Sequence, residues 1–332
     1  MQEKRGLMGP DLRLRPERLR LRAPFRISRG VKTHAEVVVV ELHQDGQVGL
    51  GECVPYARYG ETVASVMAQL WGRSPEDLLA TLPPGAARNA VDCAAWDLRA
   101  RLEGRPVAEW LGRPAPKPVA SAVTISLDSP EDMAAAARAA ADAPLLKVKL
   151  GAQGSAERLA AVSEAAPGAD LIVDPNEGWS RPLLEAMAEP IARHRVVLVE
   201  QPLPAAEDAA LAGLDYPVPI CADESVHTCA DLPAAAERYR AVNIKLDKAG
   251  GLTEASAMMQ QARGMGLKVM VGCMVASSLA IAPALLLAAD ADFVDLDGPW
   301  WLAEDRPGGC RFERGVVLPP QVGFWGEPGA RP

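Results

Sequence analysis

Leu145-Leu146-Lys147-Val148-Lys149-Leu150-Gly151 sets two lysines two residues apart inside an otherwise apolar run. In a β-strand side chains alternate faces, so Lys147 and Lys149 point one way while Leu146, Val148 and Leu150 point the other. The chain holds only eight lysines against twenty-seven arginines. Lysine is also the cation whose pKa moves most readily on burial, so a strand that buries two of them points to proton chemistry. The plainer reading is an edge strand with a solvated lysine face.

Working outward, this run is one of eight β-rich segments separated by helical ones: 119–126, 145–150, 170–174, 196–200, 219–223, 241–246, 268–272 and 292–296. Their starts recur roughly every 22 to 28 residues, the length of a strand, a helix and two loops, which favours a parallel barrel over an open doubly wound sheet. The last unit lacks a full helix. Residues 116–305 therefore read as an α/β fold, a modified TIM barrel of the (β/α)7β kind. Residues 1–115 read as an α+β capping domain: an arginine–leucine strand, a Val-rich strand over 35–42, the Asp45-Gly46 turn, a third strand over 48–53, and helical spacing from about Val63 to Leu111. Pro114, Pro116 and Pro118 mark the linker. The Gly-, Pro- and Trp-rich tail, 306–332, is expected to return to the capping domain and complete it.

A net charge of −8 without a basic stripe excludes an ordinary nucleic-acid binder. No apolar run is long enough to span a bilayer, and none of the six cysteines forms a CxxC pair, so a cytoplasmic protein with reduced thiols is expected. Six arginines fall within the first 22 residues, but Leu12-Arg13-Leu14-Arg15 and Leu19-Arg20-Leu21-Arg22 alternate with period two. That suits a strand, after roughly ten disordered residues, and not a targeting helix.

In such barrels the active site lies at the C-terminal strand ends. Those ends carry Lys147 and Lys149, Asp174 with Asn176, Glu200 with Gln201, Asp223 with Glu224, Lys245 with Asp247, and Asp295 with Asp297. Asp174, Glu200 and Asp223 come from consecutive strands, so they should share one arc of the rim. Three converging carboxylates repel unless a cation lies among them, and an all-oxygen shell favours Mg²⁺. None of the four histidines stands at a zinc-ligand spacing. Lys149 and Lys245 flank the arc and should face each other across the metal. Opposed bases over a metal-bound carboxylate suit a 1,1-proton transfer, one lysine removing the α-proton and the other returning a proton to the opposite face. A lysine with a pKa of about 10.4 must fall to about 7–8 to act as a base at neutral pH, a change of about 4 kcal/mol. Burial, Lys147 and Mg²⁺ all push that way.

At these residues the sequence resembles the enolase superfamily and, within it, the muconate-lactonising subgroup, where lysine bases and Mg²⁺ are the general scheme. The resemblance rests on Lys147-Val-Lys149, Asp174-Pro-Asn-Glu-Gly-Trp179, Val199-Glu-Gln-Pro202, Ala222-Asp-Glu-Ser225 and Asn243-Ile-Lys-Leu-Asp-Lys-Ala-Gly-Gly251. A narrower resemblance is to dipeptide epimerases. It implies a small dipeptide substrate, typically L-Ala-D/L-Glu from murein peptides, with Lys147 helping to hold its carboxylate. It implies further that Asp295-Leu-Asp297-Gly binds the free α-ammonium, and that the loops at 25–34 and 53–61 close over the substrate. Lys32 falls where a basic residue would meet the glutamate side chain, with Arg29 and Arg58 as other candidates. Tyr59, Thr124 and Ser126 are further substrate-binding candidates, and Asn176, Glu224 and Asp247 are expected to support the ligands and bases. A homo-oligomer is expected, without nucleic-acid or membrane partners. Two departures from the family pattern are Pro175, where alanine is usual, and Ala276, where some members carry glutamate. Two other readings are a cycloisomerase or o-succinylbenzoate synthase of the same superfamily, which need one acting lysine and no cationic substrate end, and a non-catalytic ligand-binding barrel.

Overall fold

The computed structural model describes residues 10–329, so most of the N-terminal segment expected to be disordered lies outside the described residues. β1 (Asp11–Ile27) and β2 (Gly30–Gln44) form a long antiparallel hairpin, with the register shifting between Arg20 and Phe25. Residues 25–34, expected as a loop, are thus the tip of this hairpin, with 25–27 and 30–34 in its two strands. Asp45 and Gly46, with φ of 48° and 75°, turn the chain into β3 (Gln47–Cys53). The Val-rich run is buried on both faces. Val38, Val40 and Leu42 pack on the cap helices, whereas Ala35 and Val37 pack on Trp301 and Leu302 of the barrel. A strand clamped between two cores has no polar face, hence its lack of alternation.

The cap helices are α1 (Val63–Leu70), α2 (Pro75–Thr81) and α3 (Ala86–Glu103). Thr62 and Ser65 form a reciprocal capping box on α1, and Ser74 caps α2 with Pro75 in its first turn. β3 lies directly on α3 because Gly49 and Gly51 have no side chains: a Cβ there would sit 2.2 Å from Ala94 O and 2.0 Å from Ala90 O.

Eight parallel strands follow: β5 (Val123–Ile125), β6 (Leu145–Lys149), β7 (Asp170–Asp174), β8 (Val196–Glu200), β9 (Ile220–Ala222), β10 (Ala241–Lys245), β11 (Lys268–Gly272) and β12 (Phe293–Asp295), each paired with the next. The Ala122 N–H donates to Val294 O at 2.8 Å, joining the two ends of the sheet. The run 119–126 differs from expectation, because its first residues, β4 (Val119–Ala120), leave the barrel to pair with the C-terminal hairpin β13 (Arg311–Glu313) and β14 (Val316–Leu318). Six connections between barrel strands contain α-helix; the one from β8 to β9 has only a 3₁₀ turn at Asp208–Leu211. Ala122, Ile172, Leu198, Cys221, Ala241 and Met270 fill the barrel interior beneath its mouth.

Downstream, the tail lies against α3: Arg101 donates to Gly323 O at 2.8 Å and Asp97 Oδ1 accepts from Gly326 N–H at 2.8 Å. Among the described residues no helix is long and apolar enough to cross a membrane, and all six cysteines are free.

Candidate active site

Period-two alternation sends Lys147 and Lys149 inward with Leu145, while Leu146 and Val148 face the surrounding helices. β6 and β10 are four strands apart in the eight-stranded order. Lys149 and Lys245 therefore stand half-way round the barrel from each other, and both line one cavity of about 450 Å³. Asp174, Glu200 and Asp223 close the three strands between them.

All of these groups are buried, and charge pairing dominates. Lys149 Nζ donates to Asp174 Oδ2 at 2.5 Å and Lys245 Nζ to Asp223 Oδ2 at 2.7 Å. Lys147 Nζ lies 3.1 Å from Asp174, 2.7 Å from Glu200 and 2.7 Å from Asp295. Burial would raise Asp174, but Lys149 and Lys147 hold it down at about 2. Asp223 is likewise pulled well below the usual range against its burial, by Lys245 and Lys248. Glu200 is pushed up by burial and by Asp174 beside it. Burial would lower Lys245, but Asp223 and Glu200 hold it well above its ordinary value. That is opposite to the shift expected of a base, and a cation sharing those carboxylates would compete with the lysine for them.

Among the described residues no three His, Cys, Asp or Glu side chains gather into a metal cage, and Asp174 and Asp223 are paired with lysines instead. The donor set nevertheless fits a hard cation. It is all oxygen, buried and contiguous, and Glu200 Oε2 lies near Lys147 but off its hydrogen-bonding direction, so that it accepts no hydrogen bond. Asn176 supports Asp174 from its backbone N–H at 2.8 Å and its amide at 3.2 Å. Because Asn176 closes this turn, the N–H that Pro175 lacks is not needed. Ala276 is buried in the apolar cluster between cap and barrel, with Val37 and Trp301.

At the last strand, Asp295 and Asp297 both line the cavity. Asp295 Oδ1 has no hydrogen-bond partner, whereas Asp297 accepts from the Thr124 N–H at 2.8 Å and the Trp301 indole at 3.2 Å. Burial and the neighbouring Asp295 push Asp297 up to about 6. Two buried carboxylates with acceptor capacity left over suit a cationic group.

The cap closes the cavity with Phe25, Arg29, Lys32, Tyr56 and Tyr59. Arg29 and Arg58, candidates for the substrate side chain, are instead spent on protein carboxylates. Arg29 pairs with Glu224 at 2.8 Å and Glu177 at 3.2 Å, and Arg58 grips Glu177 through two bonds of 2.6 and 2.7 Å. Lys32 makes no ion pair among the described residues; its ammonium stands 4.6 Å from the Tyr56 ring centre. Ser126 does not line the cavity: its hydroxyl accepts from the Arg26 N–H at 2.6 Å and so pins the hairpin tip. Asp247 turns away from the carboxylate arc and accepts from the Val54 N–H and the Asn89 amide. Glu177, Asn243 and Lys248 are not among the candidates read from the sequence, although all three lie inside the quoted motifs, and Lys248 is one of the eight lysines, which is the available signal.

A parallel barrel that carries two opposed lysines, with a three-carboxylate arc between them, defines an acid–base enzyme of the lysine-and-metal kind. The chain belongs to the enolase superfamily: residues 11–112 match the mandelate racemase/muconate lactonizing enzyme N-terminal domain, and residues 132–326 match the enolase C-terminal domain-like family. It is 48% identical over 307 residues to L-Ala-D/L-Glu epimerase of Escherichia coli K12, covering 90% of this chain and 96% of that one. It is 45% identical over 300 residues to an N-acetyl-D-glutamate racemase of Pseudoalteromonas sp., covering 87% and 95%. A crystal structure of an enolase family member from Agrobacterium tumefaciens with homology to dipeptide epimerases, with bound sodium and L-Ala-L-Glu, superposes with a TM-score of 0.91 at 47% identity, covering 95% of this chain and 99% of that one. A crystal structure of a dipeptide epimerase from Methylococcus capsulatus, complexed with Mg and L-Arg-D-Lys, superposes with a TM-score of 0.86 at 33% identity, covering 95% of this chain and 98% of that one.

Proposed function

We propose that this protein is a Mg²⁺-dependent dipeptide epimerase that inverts the α-carbon of the C-terminal residue, with L-Ala-D/L-Glu from murein peptides as its substrate. The observation that carries the reading is the placement of Lys149 and Lys245 on opposite sides of one cavity. One neutral lysine takes the α-proton from its face, and the ammonium of the other delivers a proton to the opposite face. Each turnover leaves the lysines with exchanged protonation states, ready for the reverse direction. Asp174, Glu200 and Asp223 would hold Mg²⁺. When bound, the ion would fix the substrate carboxylate and offset the negative charge that grows on it. Lys147, buried among the carboxylates, directs a further positive charge at the same place. Asp295 and Asp297 bind the α-ammonium, which fixes the direction of the dipeptide. Lys32 is the cation left to meet an acidic side chain.

With two lysines facing one carbon, the chain has one base more than a cycloisomerase or o-succinylbenzoate synthase requires. We assign residues 1–115 to the capping domain, 116–305 to the barrel and 306–332 to a returning tail. A cytoplasmic setting accords with six free cysteines. A homo-oligomer accords with the 17-residue edge strand β1, which among the described residues pairs continuously only with β2.

The test is incubation of L-Ala-L-Glu with the enzyme in D₂O, with Mg²⁺ and with chelator, followed by NMR and chiral analysis. Deuterium at the glutamyl α-carbon with inversion, lost on chelation, is expected. No exchange in this or any other dipeptide of a panel would sink the reading.

A further inference from the structure

Lys248 is fully buried and is neither of the two bases proposed above. Its ammonium donates to Asp223 Oδ1 at 2.7 Å, to Asp223 O at 2.5 Å and to Asn243 O at 2.9 Å. An ammonium has three donors, and these three acceptors use them all. Lys248 does not line the substrate cavity. It lines a neighbouring cleft of about 360 Å³ with Tyr59, His227 and Asp247, and so approaches Asp223 from behind.

The backbone of Asp223 is held as firmly. Its N–H and that of Ser225 both donate to Gln201 Oε1, at 2.8 and 3.2 Å. The Gln201 amide nitrogen is in turn fixed by Leu203 O, Ser225 Oγ and the Tyr239 hydroxyl. Asn243, whose carbonyl anchors Lys248, also donates from its amide to Glu200 Oε1 at 2.8 Å. One cluster thus aims two of the three carboxylates, and of the Asp223 oxygens only Oδ2 is left toward Lys245 and the cavity.

We propose that Lys248 is a positioning residue: by occupying Oδ1 it restricts Asp223 to one ligating oxygen and so sets the site's preference for a small cation. The inference rests on the metal-site reading above. A carboxylate that offers one oxygen suits the near-ideal octahedron of Mg²⁺, whereas a carboxylate free to chelate with both suits the larger, more flexible shell of Ca²⁺. Loss of the Lys248 charge alone would strengthen the binding of both divalent ions together. Loss of the restraint on Oδ1 changes their ratio.

The experiment is calorimetric titration of the full chain with Mg²⁺ and with Ca²⁺, in the wild type, Lys248→Met and Lys248→Arg. Lys248→Met is expected to lower the ratio of the Ca²⁺ to the Mg²⁺ dissociation constant by about tenfold, the low end of the roughly 10–100-fold change in affinity that loss of a ligand-orienting group produces, here falling unequally on the two ions. Lys248→Arg, which keeps a donor on Oδ1, is expected to hold the ratio near the wild-type value. If Lys248→Met does not fold, Lys248→Ala, which leaves room for water, is measured in its place. An unchanged ratio in the folded neutral variant, with both affinities shifted by one factor, would overturn the proposal. A wild-type protein that binds neither ion would instead overturn the metal site on which it depends.

Discussion

Lys147 Nζ lies 2.7 Å from Asp295 Oδ2, across the point where the barrel closes between its first strands and its last. The same ammonium touches Asp174 and Glu200, so one buried charge joins the proposed ammonium-binding carboxylate to the proposed metal carboxylates. The two halves of the substrate site are therefore electrostatically coupled, and the predictions below probe each half and its supports.

Lys149→Ala and Lys245→Ala are each expected to cut epimerisation by about 10²–10⁴-fold, the ordinary worth of a positioned acid or base. Each variant should still exchange the α-proton of one epimer, and the two should favour opposite epimers. Proton NMR in D₂O with pure L-Ala-L-Glu and L-Ala-D-Glu reads both effects. Normal epimerisation by either variant would disprove the two-base assignment.

Asp297→Asn keeps an acceptor for the Thr124 N–H but removes the charge that would meet the substrate ammonium. KM for L-Ala-L-Glu should rise by about 10–100-fold, the scale of a lost charge-assisted hydrogen bond. N-acetyl-glutamate has no cationic end and should be a poor wild-type substrate whose KM barely changes in the variant. The 45% identity to an N-acetyl-D-glutamate racemase makes this comparison decisive. Efficient wild-type turnover of the acetylated compound would show that the two aspartates do not select an ammonium.

Lys32→Met should raise KM for L-Ala-L-Glu by about two- to fivefold while leaving L-Ala-L-Leu little changed, because the lost interaction is a partly solvated charge pair. Arg58→Met acts differently, by releasing the grip on Glu177, and should impair both dipeptides. Equal effects of Lys32→Met on the two substrates would remove Lys32 from side-chain recognition.

Asp247 titrates at about 7 against an ordinary 3.8, chiefly because it is buried. Between about pH 4 and 7 the folded protein therefore holds a proton that the unfolded chain has released, so this group makes stability fall as pH rises through that window and level off above it. Asp247→Asn abolishes the effect. Relative to wild type, the variant should gain on the order of 2–4 kcal/mol between pH 4.5 and pH 8 in urea unfolding. An unchanged difference between the two proteins across that range would show that Asp247 is ionised in the fold throughout.

The barrel and the ionisable residues at its rim were legible in the chain because both are local patterns. Period-two alternation decides which way Lys147 and Lys149 point, and an apolar strand that ends in a charged residue places that residue at the mouth whatever surrounds it. The Asp174, Glu200 and Asp223 arc and the opposition of Lys149 to Lys245 follow from the spacing and order of the strands. What no local pattern contained is which charge meets which. Arg29 and Arg58 read as surface cations near a substrate, but folding brings Glu177, 148 and 119 residues away, onto both of them. Val119–Ser126 reads as one strand, and divides only because the distant β14 offers Val119 and Ala120 a partner. Asp247 reads as a support for the ligands and bases, yet its Oδ1 is turned to the backbone of Val54 and the amide of Asn89, which come from the distant cap. Lys248 sits one helical turn past a strand end and looks like any exposed helical lysine until Asp223 and Asn243 close around it. A buried ion is tolerated only where its partners are, and the partners are supplied by segments that meet only in the folded protein.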